Sequence, residues 1–156
     1  MRTNVETAPH VLIVEPDAFV SRRLKEACGT TSLVTTCPDF PSGRERLMVD
    51  HPNFLITNLR LNEFNGLHLI FLTQADGCQT HCIVHTTRPD FSLIAEAQKL
   101  NALFEWTDRL PYALYQYLRS HWPDVDRRSP HRIDRRSSFR GGRRAPDVAQ
   151  LFLPAG

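Results

Sequence analysis

Phe54-Leu55-Ile56-Thr57-Asn58-Leu59-Arg60-Leu61-Asn62-Glu63-Phe64-Asn65-Gly66 is the stretch that decides how this chain is read. It opens as an apolar run of strand length and ends in a loop closed by Gly66. One polar residue, Asn58, stands where that strand runs out. In parallel α/β sheets, ligands and chemistry collect just beyond the carboxyl ends of the strands. Asn58 is therefore the first candidate site residue, and the question is what an amide does at such a tip.

Working outward, His10-Val11-Leu12-Ile13-Val14 suits a strand buried on both faces. Glu15-Pro16-Asp17 ends it, and Asp17 has the side chain to cap a helix starting at Ala18. Val20, Leu24 and Ala27 recur at helical spacing before Cys28-Gly29. Ser32 to Thr36 reads as a second strand, followed by a short helix from Pro41 or Ser42 to Val49 and a turn at Asp50-His51-Pro52-Asn53. Beyond Gly66 a third helix carries Leu67, Leu69, Ile70, Phe71 and Leu72 and ends near Asp76-Gly77. His81 to Thr86 is a fourth strand, Phe91 to Leu100 a fourth helix, Leu103 to Trp106 a short fifth strand, and Leu110 to His121 the last helix. Parallel neighbours need crossovers of helix size. The alternation therefore predicts an α/β fold: a doubly wound five-stranded parallel sheet with helices on both faces.

A hydrophobic fraction of 41% supplies a core for one domain in 156 residues. No apolar run approaches the roughly 18–20 residues of a membrane span. Residues 1–10 show no apolar block of a signal peptide. The cysteines Cys28, Cys37, Cys78 and Cys82 are too few and too irregular for a disulfide scaffold. A reduced, cytoplasmic protein is expected. Charge divides the chain: residues 1–126 carry a net −4 and residues 127–156 a net +6. Arg-Arg pairs at Arg127-Arg128, Arg135-Arg136 and Arg143-Arg144 keep an eight-residue step, which matches no helical period and no stacked repeat. The boundaries read as a domain over 10–121 and a disordered, arginine-rich tail over 122–156.

At the sheet's carboxyl edge the strand tips offer Glu15, Pro16 and Asp17, then Asn58, then Thr86 and Thr87, then Asp108 and Arg109. With Val11 to Asp17, Asn58 to Gly66 and Ile83 to Thr87, this set resembles the receiver domain of two-component response regulators. The resemblance covers about residues 10–121, and Gly66, eight residues after Asn58, fixes the register. It implies a flavodoxin-like sheet and a phosphoryl group moved from a kinase histidine onto an aspartate at the third strand tip. That chemistry uses a carboxylate nucleophile, an acidic pair holding Mg²⁺, a hydroxyl and a lysine.

Carried over residue by residue, the set departs from that pattern. Asn58 occupies the nucleophile position, and its neutral amide is poorly nucleophilic. The acidic pair falls on Glu15 and Pro16, and proline offers no ligand. Asp17 is the substitute one residue on, unless it is spent as a helix cap. Thr86 matches the hydroxyl. The lysine falls on Asp108 or Arg109, and the family's loop proline is Asn62. The resemblance thus implies a receiver fold without phosphotransfer, with no cofactor, no catalytic residue and no firm metal site. Such a protein acts in signal transduction through contact with a sensor kinase or downstream effector. In this family, partner contacts favour the face of helix 4, strand 5 and helix 5. Residues 91–121 then offer Trp106, Tyr112 and Tyr115, with Trp122 just beyond, as exposed anchors.

Other readings stand beside this one. Asn58 is a buried amide satisfied by loop backbone, or it binds a small anion or a water network. A displaced carboxylate such as Asp17 would make the chain a phosphoacceptor in a phosphorelay. The arginine pairs would make the tail a salt-sensitive nucleic-acid or acidic-partner contact. Cys78, His81, Cys82 and His85 have ligand-like spacing, but strand alternation turns Cys82 away from the two histidines and argues against zinc.

Overall fold

The computed structural model describes residues 7–77 and 79–119. Cys78, Trp122 and the tail with its Arg127, Arg128, Arg135, Arg136, Arg143 and Arg144 lie outside the described residues. The five strands of the sheet are β1 (His10–Val14), β2 (Leu33–Cys37), β3 (Phe54–Asn58), β4 (His81–Thr86) and β5 (Leu103–Trp106). All pair in parallel, in the order β2-β1-β3-β4-β5. The helices are α1 (Ala18–Cys28), α2 (Phe40–Asp50), α3 (Leu67–Ala75), α4 (Phe91–Lys99) and α5 (Leu110–Arg119). This is the expected α/β architecture, doubly wound.

One face of the sheet is built from Val11 and Ile13, Phe54 and Ile56, Ile83 and Leu103. They pack with Leu24 and Cys28 of α1 and Leu110 and Leu114 of α5. The other face is tighter at one point. A Cβ added at Gly43 of α2 would stand 2.7 Å from Val14 Cγ2, so the helix settles onto β1 only because residue 43 has no side chain.

Local signals set the ends. Asp17 caps α1, its Oδ1 accepting from Phe19 N at 2.8 Å and Val20 N at 3.2 Å. Asp39 caps α2 and accepts from Ser42 N at 2.9 Å, which starts that helix at Phe40, ahead of the expected Pro41 or Ser42. Asp90 caps α4, its Oδ1 accepting from Leu93 N at 3.2 Å.

The loop after β3 is more ordered than its sequence suggests. Arg60–Leu61 and Phe64–Asn65 form a small antiparallel hairpin. Asn62 sits in it at φ +57°. Proline, fixed near −65°, cannot take that conformation, so this hairpin and the family's loop proline are mutually exclusive. Gly66 closes the loop for want of space: a Cβ there would lie 2.5 Å from Asn58 O.

Trp106 corrects one expectation. It is only 8% exposed, its ring set edge-on to Phe104 at 5.1 Å between centroids. Strand alternation explains this, because Trp106 lies two residues after the fully buried Phe104 and shares its face. Tyr112 and Tyr115 are exposed as expected, at 80% and 54%.

Candidate functional site

The sheet register assembles a polar layer from three strands. Val14 pairs with Thr57, and Asn58 pairs with His85, so Glu15, Asn58 and His85 lie level across β1, β3 and β4. Each follows an isoleucine by two residues: Ile13, Ile56 and Ile83. They therefore share the face of the α1–α5 core and form its polar lid.

Glu15 is buried, with its carboxylate fully engaged. Oε1 accepts from Asp17 N at 2.9 Å. Oε2 accepts from Asn58 Nδ2 at 3.0 Å and stands 3.2 Å from His85 Nε2. The Asn58 amide serves two sides at once, its Oδ1 accepting from Arg60 N at 2.9 Å. Only one amide orientation meets both a carboxylate and an N–H, so the network fixes it. His85 is fully buried, and its Nδ1 meets Thr107 Oγ1 at 2.8 Å. Its Nε2 makes no hydrogen bond, although Glu15 Oε2 is its neighbour at 3.2 Å.

Burial sets the protonation of this layer. It drives the His85 imidazole down to about 3 and pushes the Glu15 carboxyl up, against the opposing bonds from Asp17 N and Asn58. Both shifts favour the uncharged form. Burial also pushes two thiols up, Cys28 to about 12 and Cys82 to about 11, which favours their protonated form at neutral pH.

The remaining sequence candidates fall outside the layer. Asp17 is the α1 cap and lies exposed. The Thr86 hydroxyl is turned onto its own loop, donating to Arg88 O at 3.1 Å and accepting from Arg88 N at 3.2 Å. Asp108 and Arg109 occupy the turn from β5 into α5. Asp108 is exposed, and the Arg109 carbonyl accepts from Tyr112 N and Ala113 N. Cys82 faces away from His85, with its Sγ 3.6 Å from Thr73 Oγ1 of α3.

Two members of the layer escaped the sequence reading. In the sequence His85 stands out only through its ligand-like spacing to Cys82, and Thr107 does not stand out at all. The signal for His85 was present as an isoleucine followed two residues later by a polar residue, in all three central strands. Thr107 carried no comparable signal, since its role comes from the turn after β5.

No family model matches the chain, and no curated protein matches it. Solved structures do. The chain is similar to the N-terminal domain of an uncharacterized protein from Wolinella succinogenes, at 24% identity and a TM-score of 0.64, over 71% of this chain and 90% of that one. It is similar to the signal receiver domain of an HD domain-containing protein from Pseudomonas fluorescens, at 21% identity and 0.61, over 70% and 94%. The chain has the receiver-domain fold. The response regulator domain of Thermotoga maritima CheB extends the likeness, at 17% identity and 0.62, over 72% and 94%. Among the described residues no helix is long and apolar enough to cross a membrane.

Proposed function

We propose that this chain is an atypical response-regulator receiver protein that signals through protein contact, independently of phosphorylation. One observation carries the reading: the Asn58 amide donates to the Glu15 carboxylate. An aspartate in that place would set two acceptors face to face and call for a cation or a proton between them. Here the amide supplies that role from within the chain. A neutral amide is also not the nucleophile that acyl-phosphate formation needs. Glu15 is spent on Asp17 N and Asn58, Asp17 on the helix cap, and Thr86 on Arg88. The pocket is closed on itself and assigned no catalytic residue or cofactor.

The output surface is the face of α4, β5 and α5. Tyr112 is exposed on α5, whereas Tyr115 lies on the side of that helix turned to the end of α1, beside Arg119, whose Nη2 donates to Thr31 Oγ1 at 3.1 Å. An exposed tyrosine such as Tyr112 is a residue type that anchors protein interfaces. A sensor kinase or a downstream effector is the class of partner.

The test is intact mass after incubation with Mg²⁺ and acetyl phosphate, with Asn58→Asp run alongside. The wild-type chain is expected to remain unlabelled. A phosphoryl adduct on it would overturn the reading and point to another acceptor. An adduct confined to Asn58→Asp would show that the amide alone blocks the chemistry.

A further inference from the structure

The buried layer contains a feature that a merely inactive pocket does not require. His85 Nε2 is a buried nitrogen without a hydrogen bond, 3.2 Å from a carboxylate oxygen with side chains 0% and 2% exposed. An unsatisfied buried polar atom calls for an explanation. We propose that Glu15 and His85 together form a proton-binding site, and that its occupancy is transmitted to α4 through Asn58, Arg60 and Asp90.

The chemistry balances with no outside group but the proton. Without it, Glu15 is a carboxylate, His85 is neutral, and the pair carries one buried negative charge. One proton from solvent makes the pair neutral. It comes to lie between Oε2 and Nε2, with Nε2 as acceptor, so the ring's own hydrogen resides on Nδ1 and donates to Thr107 Oγ1. In the deprotonated pair with the ring hydrogen on Nε2, the Thr107 hydroxyl donates to Nδ1 instead. A hydroxyl serves as donor or acceptor, so Thr107 accommodates both tautomers in place. A second proton would leave a cation in the core and is disfavoured. The pair titrates as a unit.

The charged group acting on the pair from its own loop is Asp17, which raises Glu15 further. From β3 it faces the neutral Asn58, and from the turn after β5 the neutral Thr107. The path outward is continuous. Glu15 Oε2 holds Asn58 Nδ2, and Asn58 Oδ1 holds Arg60 N. Arg60 Nη2 reaches Asp90 Oδ2 at 3.2 Å, and Asp90 caps α4 through Leu93 N. Neutralising Glu15 weakens its bond to Asn58, because a charged acceptor holds a donor more strongly than a neutral one. The change is then felt at Arg60 and at the first turn of α4.

This rests on the reading of the pocket as one that takes no phosphoryl group, and the two fail separately. Labelling of the wild-type chain defeats that reading without altering a titration recorded in the absence of donor.

The experiment is a pH titration of the full chain by NMR, following the Glu15 carboxyl carbon, the His85 ring nitrogens and the Leu93 amide. The expected result is one common midpoint above the ordinary glutamate value of 4.5, with the ring exchanging tautomers and never becoming imidazolium there. Glu15→Gln is expected to abolish that inflection at His85 and Leu93. His85→Gln is expected to leave Glu15 titrating with no tautomer change to accompany it, and it serves if Glu15→Gln fails to fold. Glu15 titrating at or below 4.5, or His85 charging by itself near its ordinary 6.5, overturns the proposal. So does a Leu93 amide that ignores the common midpoint.

Discussion

The tips of β1, β3 and β4 and the rim around them carry similar residue types under opposite conditions. Glu15 and His85 are sealed, with side chains 2% and 0% exposed, whereas Arg60 and Asp90 pair at 3.2 Å with side chains 54% and 27% exposed. In the sealed layer each hydrogen bond carries weight, because water cannot replace a lost partner. At the rim water competes for every charge, and an ion pair orients more than it stabilises. The protein thus concentrates its electrostatic consequence in four side chains and leaves the rim to transmit it.

That contrast predicts a graded series of effects. Asn58→Asp should act most strongly. It brings a second carboxylate to about the 3.0 Å now spanned by the amide, at a cost of roughly 2–4 kcal/mol at neutral pH. The carboxyl pair has a raised pKa in the folded state. Its penalty is therefore absent at low pH and grows as pH rises through that value. Urea unfolding at several pH values should show the gap to wild type narrowing on acidification.

Gly66→Ala comes next. Its Cβ would meet backbone, the Asn58 carbonyl at 2.5 Å, so about 1–3 kcal/mol of overpacking is expected in thermal unfolding, with the hairpin displaced. Thr107→Val keeps the shape and removes the partner of His85 Nδ1. About 1–2 kcal/mol should be lost, and Thr107→Ser should restore most of it. Arg60→Ala should cost below about 1 kcal/mol and lose its effect in high salt, while still altering the amide signals of α4. An Arg60→Ala effect as large as that of Thr107→Val would erase the contrast between layer and rim.

His85 adds a pH dependence of definite sign. Its folded-state pKa is lowered, so its contribution is present above the unfolded value of 6.5 and is lost as pH falls from there towards about 3. His85→Gln should flatten that part of the stability profile.

Much of the fold was legible because β1 and β3 carry apolar runs, Val11 to Val14 and Phe54 to Ile56, and Asp17 caps its helix where the sequence says. The hairpin was not, since a positive φ at Asn62 follows from local packing rather than from periodicity. Trp106 is buried rather than exposed because it stands two residues after Phe104 and shares its face of the strand. Of the candidates at the strand tips, Glu15 and Asn58 meet in the layer, whereas Asp17 caps α1 outside it. The partner of Glu15 was not legible, because only the register of three strands sets His85 beside it.

The most direct test of the closed pocket is a Mg²⁺ titration of the full chain followed at the amides of Glu15, Asn58 and Arg60. No saturable shift is expected at these three positions, since Glu15 is held by Asn58 and Asp17 N and the Asp17 carboxylate is taken up by the α1 cap. The same titration of Asn58→Asp should produce one. Saturable shifts at Glu15 and Asn58 in the wild-type chain would show an open cation site and contradict the account.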